Sequence, residues 1–284
     1  VVFPVSIAYF FIPEIRKYPL IITEHWSGYL PEDGNFRGLI RKFFTKRIFR
    51  KASRVLVCSE RLGNRLKELK LISSFYFLEN VVPDYFFQTD IPEHIPSDTE
   101  SIHFIHVSSL CEREKNITGM LKALSVIKQK KLYPFSLRII GGTKEDVLRY
   151  QPLLAEWNLE KEVSFLGTIK NENLPPLYAQ SDFLLLFSHF ESQPVVALEA
   201  MATGVKVLCT PVGQLKEWIK DEKGTCSVSH ELSDIIALLE KAPLLKKKYP
   251  DRTMLRQWVY ERFSSQAVGK KIFSHYQELI LSEG

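Results

Sequence analysis

The chain has no apolar run long enough to cross a bilayer. Its hydrophobic opening, VVFPVSIAYFFIP at 1–13, contains two prolines and falls short of the roughly 20 residues that a spanning helix needs. No basic segment precedes it, so it does not read as a secretory leader. The first residue is Val rather than Met, as in a fragment or a processed product. Cysteine is scarce: Cys58, Cys111, Cys209 and Cys226 form no C-x-x-C pair and stand at no zinc-site interval from a histidine pair. That argues against structural zinc and for free thiols in a reducing, cytoplasmic compartment. There is no internal repeat, no low-complexity tract, and no G-x-G-x-x-G follows the double glycine at 141–142. No Asp/Glu pair and no Ser–His arrangement presents itself for covalent catalysis, and metal ligands do not cluster. A strong charge of one sign is missing too. With 38 Lys and Arg against 33 Asp and Glu, the net charge is +5, a mild balance that suits an anionic ligand or an acidic membrane surface rather than nucleic acid.

What is present is an ordinary globular composition, 45% apolar and 25% charged, in a length that suits one or two domains. Short β-branched and aromatic runs alternate with amphipathic stretches. Strands are expected at 19–25, 53–59, 74–80, 101–109, 136–142, 162–167, 181–188 and 205–210. Most are near-continuous apolar runs, the pattern of strands buried on both faces of a parallel sheet. Helices are expected at 36–51, 60–69, 116–131, 144–157, 171–180, 194–203, 213–220 and 231–240, followed by a helical tail from about 253 to 282 broken near Phe263–Ser264. The alternation predicts an α/β fold with right-handed crossovers. The segment 82–101, with three prolines among acidic and polar residues, reads as an inter-domain linker. Beyond it, five or six strands suffice for a doubly wound sheet; the three before it do not make a matching one. The expected organisation is therefore an incomplete N-terminal Rossmann-like domain over 1–90, a second Rossmann-like domain over 91–265, and a C-terminal helix over 266–284 packing back on the first.

The stretch SHFESQPVVALEAMATG, 188–204, holds two carboxylates eight positions apart, Glu191 and Glu199. In open α/β sheets ligands sit beyond the carboxyl ends of the strands, and Glu191 falls in the loop after the strand ending near Ser188. Pro194 suits the first helical position because its fixed φ fits there, and the free N–H groups of such a helix start favour a phosphate. Glu199 lies more than one turn inside the helix, within reach of a sugar hydroxyl pair. The plainer reading makes Glu191 a solvated loop residue and Glu199 a helix-surface charge. Small apolar residues on both sides of Glu199 point instead to a buried helix, and a buried carboxylate needs a partner.

The pattern E-x7-E followed by A-M-A-x-G-x-x-V resembles the signature of the family four retaining glycosyltransferases. Further matches run along the chain: FPVS (3–6), TEHWSGY (23–29), VLVCSERL (55–62), ENVVPDYF (79–86), HVSSLCEREKN (106–116), SFLGTI (164–169) and VGQLKEWI (212–219). The resemblance implies the GT-B fold, with two Rossmann-like doubly wound domains. It implies transfer of a hexose, with its anomeric configuration kept, from a nucleotide-diphosphate sugar to a glycan or lipid-linked acceptor, as in bacterial surface polysaccharide synthesis. Glu191 would then contact the donor sugar and Glu199 the ribose, with Ser192, Gln193 and Val195 beside them; Ser192 and Gln193 stand where the family often has Gly-Phe. His25 would contact the sugar near the reacting centre; Glu24 and Trp26, which flank it, are candidates for shaping an acceptor pocket. Of the Arg and Lys that the family places after the first strand of the C-terminal domain, the Lys is kept as Lys115. Ser109 stands at the Arg position, with Arg113 nearby. Gly142 permits close backbone approach, and Gly213 is retained from a Val-Gly-Gly loop in which Gln214 replaces the second Gly. No metal or other cofactor is implied, so the charge of the departing diphosphate falls to Lys115 and backbone N–H groups. Taken without the resemblance, Lys115 reads also as a solvated lysine at a helix start, and His25 as a hydrogen-bonded histidine at a strand end.

The most basic segment is RGLIRKFFTKRIFRKASR at 37–54, with eight Lys and Arg and no acid. Its apolar residues recur at helical spacing. Such a helix either lays its apolar stripe on its own sheet or binds an anionic membrane surface, which would make the protein peripheral on the inner face of a membrane. Two other functions share the scaffold: a non-catalytic sugar-nucleotide-binding subunit, favoured by Ser109 in place of Arg, and a sugar-nucleotide epimerase.

Overall fold

The computed structural model describes residues 6–90, 101–220, 225–227, 229–248 and 252–283. They form two α/β units, the first from the described parts of 1–81, 190–193 and 265–284, the second from those of 82–189 and 194–264. The first unit runs α1 (Ser6–Phe11), β1 (Ile21–Glu24), α2 (Leu39–Phe49), β2 (Arg54–Val57), α3 (Glu60–Glu68) and β3 (Tyr76–Phe77). The second runs α4 (Tyr85–Gln88), β4 (Ile102–Val107), α5 (Glu112–Lys115), α6 (Ile117–Gln129), β5 (Phe135–Ile140), α7 (Lys144–Glu156), β6 (Val163–Gly167), α8 (Pro175–Ala179), β7 (Phe183–Leu186) and α9 (Val195–Ala202). It continues with β8 (Lys206–Cys209), α10 (Leu215–Lys220), β9 (Thr225–Ser227), α11 (Leu232–Glu240), α12 (Ala242–Lys248) and α13 (Arg252–Phe263). A last helix, α14 (Ser265–Glu283), belongs to the first unit.

In the first unit β1, β2 and β3 are parallel in that order, with Ile21 opposite Arg54 and Glu24 opposite Val57. Alternate side chains of a strand point to opposite faces, and β2 shows it: Val55 and Val57 pack with Ile48, Phe49, Leu62 and Leu66 of α2 and α3, whereas Leu56 packs with Leu78 and Val268 of α14. Burial on both faces is why the sequence RVLV has no polar alternation. Ser59 starts α3 by accepting the Leu62 N–H at 3.3 Å, a side-chain cap. Ion pairs Arg54–Glu278 at 2.6 Å and Lys271–Glu79 at 2.6 Å flank the seat of α14.

The second unit carries a six-stranded parallel sheet in the order β6-β5-β4-β7-β8-β9. The chain enters at β4, steps outward to β6, then returns to the other side of β4 as β7, so the direction of winding reverses between β4 and β7. One face is closed by α6, α7 and α11 through Met120, Leu124, Tyr150 and Ile235, the other by α9 and α13 through Ala197, Met201, Leu255 and Val259. The segment 82–90, expected as the start of a linker, packs here instead: Phe86 of α4 is fully buried in the second face, and the Val82 N–H donates to the Phe263 carbonyl at 2.8 Å. The apolar surface of Tyr85, Phe86 and Phe87 outweighs the turn tendency of Pro83. The rest of the expected linker, 91–100, lies outside the described residues. Strand β9 and the short helices α1, α4, α5 and α12 were not expected; the tail does break at Ser264 as its sequence predicts.

Reversal of winding opens the sheet between the carboxyl ends of β4 and β7, and buried polar groups fix the two chain segments leaving there. His106, with no exposed surface, donates from Nδ1 to the Leu185 carbonyl of β7 at 2.8 Å, because a carbonyl can only accept. Its Nε2 then takes the Ser108 hydroxyl proton at 2.7 Å, and Ser108 Oγ receives the Leu110 N–H at 3.0 Å. One imidazole thus ties β4 to β7 and shapes the turn carrying Ser109. Gly141 completes the turn from the β5 side: its φ is +108°, and a Cβ there would collide with the Ser108 carbonyl oxygen.

Two outcomes follow for stability. Gly141→Ala should cost at least about 2 kcal/mol in chemical denaturation, since it adds both a disallowed φ and a backbone clash. Dehydration, opposed by the Leu185 hydrogen bond, lowers the His106 pKa from 6.5 to about 4. Between those values the unfolded chain binds a proton that the folded chain refuses. Stability should therefore fall as pH drops from 6.5 to 4, by up to about 3 kcal/mol from this group. Urea unfolding of His106→Gln should show a flatter profile in that window than the unaltered protein; parallel profiles would contradict the assignment.

Candidate active site

The loop after β4 is fastened from below. Glu112, first residue of α5, accepts the Thr118 N–H with both oxygens, at 3.1 and 3.2 Å, and the Tyr150 hydroxyl at 3.1 Å. That hydroxyl lies 3.0 Å from the Leu110 carbonyl as well. Asn116 takes a left-handed conformation, φ 53°, which ends α5 and lets its side chain cap α6 through the Gly119 N–H at 3.2 Å. Between these anchors Lys115 is drawn in, with 12% of its side chain exposed and its ammonium 2.6 Å from Glu114. Ser109 and Arg113 are both exposed on the same loop. The loop after β7 is joined to it directly: the His189 N–H donates to the Glu114 carbonyl at 2.8 Å.

Glu199 is five residues into α9, whose neighbours Ala197, Leu198, Ala200, Met201 and Ala202 are all buried. It is no surface charge: 3% of it is exposed. Its carboxylate accepts from Asn171 Nδ2 at 2.8 Å and from the Tyr178 hydroxyl at 3.2 Å. Asn171 is itself held by the Tyr85 hydroxyl on its Oδ1. Burial raises the Glu199 pKa, and the Asn171 and Tyr178 hydrogen bonds oppose the rise. Carboxylate oxygens offer about four acceptor directions, so these two donors leave capacity for hydroxyl groups of a ligand. Val195, half-buried, opens α9 one residue after Pro194, which stands just outside the helix. Gly142 and Gly213 both have left-handed backbones, φ 71° and 51°. A Cβ on Gly142 would press into the Leu110 side chain, so its glycine keeps the β5 loop close to the β4 loop.

The residues 190–193 and His25 belong to the first unit. His25 follows β1 by one residue rather than ending it. Solvent reaches it, yet neighbours dehydrate the ring enough to lower its pKa, against the Asn80 side-chain hydrogen bond and the Glu24 charge, which raise it. Glu24 does not line an acceptor pocket. It is fully buried and folds onto its own chain, Oε1 accepting the N–H groups of His25 and Trp26 at 3.0 Å each and Oε2 the Tyr29 hydroxyl at 3.1 Å. In the 190–193 loop Ser192 and Gln193 are buried and Glu191 is half-buried; Gln193 Oε1 accepts the Asn80 N–H at 2.6 Å. The structure thus gathers Ser109, Arg113, Lys115, Gly142, Val195, Glu199 and Gly213 in the second unit, and His25, Glu191, Ser192 and Gln193 in the first. Sequence reasoning missed Asn171, Tyr178, Glu112, Asn80 and His106. The first four had no local signal, because each acts on a residue distant in the chain or within an unpatterned loop. A histidine among the apolar residues of IHFIHV was a visible oddity.

Comparison with known proteins places this geometry. The family model described as glycosyl transferases group 1 matches residues 87–258, more than half of the chain. A curated relative, N-acetyl-alpha-D-glucosaminyl L-malate synthase of Bacillus anthracis, is 33% identical over 187 residues, 64% of this chain and 46% of the relative. O-antigen chain mannosyltransferase B of Escherichia coli is 34% identical over 112 residues, 39% of this chain and 29% of that one. The chain thus spans less than half the length of these curated relatives. Among solved structures, sucrose-phosphate synthase from Thermosynechococcus elongatus matches with a TM-score of 0.73 at 20% identity, covering 95% of this chain and 70% of that one. Anabaena Alr3699/HepE in complex with UDP and glucose matches at 0.74 and 18% identity, covering 96% and 74%. At such identities the structures speak for the fold, two α/β units of the GT-B kind. On the family match and the relatives together, the chain belongs to the group 1 glycosyl transferases.

Proposed function

We propose that this chain belongs to a retaining hexosyltransferase that uses a nucleotide-diphosphate sugar and a glycan or lipid-linked acceptor, in bacterial surface polysaccharide synthesis. The observation that carries the reading is Glu199: a carboxylate kept inside an apolar helix at the ligand end of a doubly wound sheet, held by two neutral donors and by no cation among the described residues. A merely structural site would be better filled by an apolar residue, whereas a vicinal diol of ribose uses the remaining acceptor directions. The names of the relatives, a glucosaminyl transfer enzyme and an O-antigen mannosyltransferase, and the UDP and glucose in the HepE structure, agree in substrate class.

In this reading the bond from the anomeric carbon to the diphosphate oxygen breaks, and the charge that grows on that oxygen is met by the Lys115 ammonium and backbone N–H groups. The acceptor hydroxyl attacks from the same face, and its proton passes to the departing phosphate oxygen, so no protein nucleophile and no cofactor take part. Glu191 and His25 hold sugar hydroxyls, with Ser192, Gln193 and Val195 completing the donor site. Gly142 and Gly213 let backbone come close to the ligand. Ser109, standing where the resemblance implies an Arg, favours a second reading in which the chain binds sugar nucleotides without turning them over; Arg113 is the nearby cation that the first reading would use instead.

The intact protein should be warmed with UDP-, GDP- and ADP-sugars, and nucleotide release followed with the one that raises Tm. Lys115→Ala and Glu191→Ala should each lower release about a hundredfold or more. Glu199→Gln should lose the ligand-induced rise. It should also raise the Tm of the free protein at neutral pH: the folded-state pKa of Glu199 lies above 4.5, so its ionisation opposes folding above that value, and the gain should vanish as pH falls below it. A ligand-induced Tm rise without release would establish the binding subunit instead.

The same chain carries a surface suited to anionic lipid. No helix among the described residues is long and apolar enough to cross a membrane. Helix α2 buries Thr45, Ile48 and Phe49 toward its end but exposes Leu39 (87%), Ile40 (69%) and Phe43 (58%) at its start. Arg37, Lys42 and Lys46 are exposed around them. Arg41 is partly spent, lying 5.3 Å over the Trp26 ring and donating to the Asn35 carbonyl at 2.9 Å. We therefore place the lipid contact on Lys42 and Lys46. Lys42→Glu with Lys46→Glu should abolish sedimentation with phosphatidylglycerol vesicles; equal sedimentation before and after the change would remove the membrane from the proposal.

A further inference from the structure

The two donors that hold Glu199 stand on separate pieces of chain, and α4 reaches both. Asn171 opens the turn at Asn171–Asn173, whose backbone is fixed by the Leu174 N–H donating to the Asn171 carbonyl at 3.1 Å. From there Asn171 Nδ2 donates to Glu199 Oε1 at 2.8 Å. The Tyr178 hydroxyl, on α8, donates to the other oxygen, Oε2, at 3.2 Å. On α4 the Tyr85 hydroxyl donates to Asn171 Oδ1, and the next residue, Phe86, sets its ring 6.1 Å from that of Tyr178. A carboxamide has one accepting end and one donating end. Turned the other way, Asn171 would face its oxygen to the carboxylate, acceptor against acceptor. A phenol that donates to Oδ1 holds the amide the right way round, and a hydrogen bond accepted at one end strengthens the one given at the other.

We infer that Asn171 is a positioning residue for Glu199 and that Tyr85 acts through it: together they fix the carboxylate so that its free acceptor directions meet the hydroxyls of a ribose. The inference rests on the proposed role of Glu199 at the ribose. Docking of α8 on α9 does not need this chain of hydrogen bonds, because Leu174, Tyr178, Ala197 and Leu198 already share one buried apolar cluster. Asn171 is exposed and Tyr85 half-buried, so water could satisfy both if they were only surface groups. Each oxygen of Glu199 takes one donor from the protein and keeps room for another, which matches the two hydroxyls of a 2′,3′-diol. Loss of the amide leaves Tyr178 holding the carboxylate by one oxygen, and the group can then turn away from the hydroxyls it should meet.

The test measures Kd by calorimetry on the intact protein for UDP, GDP and ADP, each beside its 2′-deoxy counterpart. The nucleotide that binds should be preferred over its deoxy form by about tenfold or more, since the missing hydroxyl leaves a buried acceptor unpaired. Asn171→Ala should cut that preference to about threefold or less, weakening the ribonucleotide while the deoxynucleotide keeps its Kd. Tyr85→Phe should lower the preference in the same way by about twofold to fivefold. A merely structural residue would weaken both nucleotides alike. A preference that survives in Asn171→Ala, or a loss that falls equally on both nucleotides, overturns the inference. Should Asn171→Ala fail to fold, Tyr85→Phe, which removes a single oxygen, decides by the same criterion. An unaltered protein that binds both forms equally, or neither, would take Glu199 away from the ribose and sink the proposed function together with the inference.

Discussion

A carboxylate dehydrated inside an apolar helix constrains most of the second unit. Glu199 stays there only because Asn171 and Tyr178 offset part of the cost of burial, so the turn at Asn171–Asn173 and helix α8 must dock against α9. Tyr85 reaches Asn171 in its turn, which draws α4 onto the same face. The far end of α9 is held as firmly. Arg252 donates to the Gly204 carbonyl at 3.1 Å and Arg256 to that of Ala202 at 2.9 Å, covering carbonyls that a helix C-terminus leaves without partners and meeting its negative dipole end. The helix is thus gripped at its middle and its C-terminus, which leaves its first turn as the part that the proposed function gives to ligand.

How far this was legible in the sequence depended on whether burial leaves a local pattern. FLLL at 183–186 and RVLV at 54–57 are strands buried on both faces, so they read as continuous apolar runs and their positions were plain. TCS at 225–227 has no such pattern; it is a strand because the edge of β8 offers it hydrogen bonds, with Cys209 opposite Ser227. In 82–101 the prolines dominated the reading, and a four-residue helix is too short to show a 3.6-residue period, although Phe86 anchors it. The burial of Glu199 could be inferred from the small apolar residues around it. Its partners could not, because Asn171 and Tyr178 stand 28 and 21 positions away and only the docking of α8 brings them in.

The first unit shows the same limit in a sharper form. Glu24, flanking His25, was expected to help shape an acceptor pocket. Strand geometry decides otherwise. Neighbouring residues in a strand face opposite ways, so with Thr23 turned to solvent Glu24 is turned inward, and an inward carboxylate must find donors. The nearest are the N–H groups of the chain bending away at β1's end, and the Tyr29 hydroxyl lies behind them. The acid therefore serves the shape of the turn.

Charge handling in the second unit can be argued from the same economy of partners. Lys115 is mostly shielded and lies against Glu114, while the Glu114 carbonyl holds the β7 loop through His189. The neighbouring carboxylate gives the ammonium a counter-charge in this partly dry loop. A diphosphate brings more negative charge and more acceptor oxygens than one carboxylate, and charge-assisted hydrogen bonds strengthen with both. In the proposed reaction, replacing or sharing Glu114 becomes favourable as charge grows on the departing diphosphate. Since Glu114's backbone remains pinned to His189 throughout, its side chain can yield without moving the loop that carries Lys115.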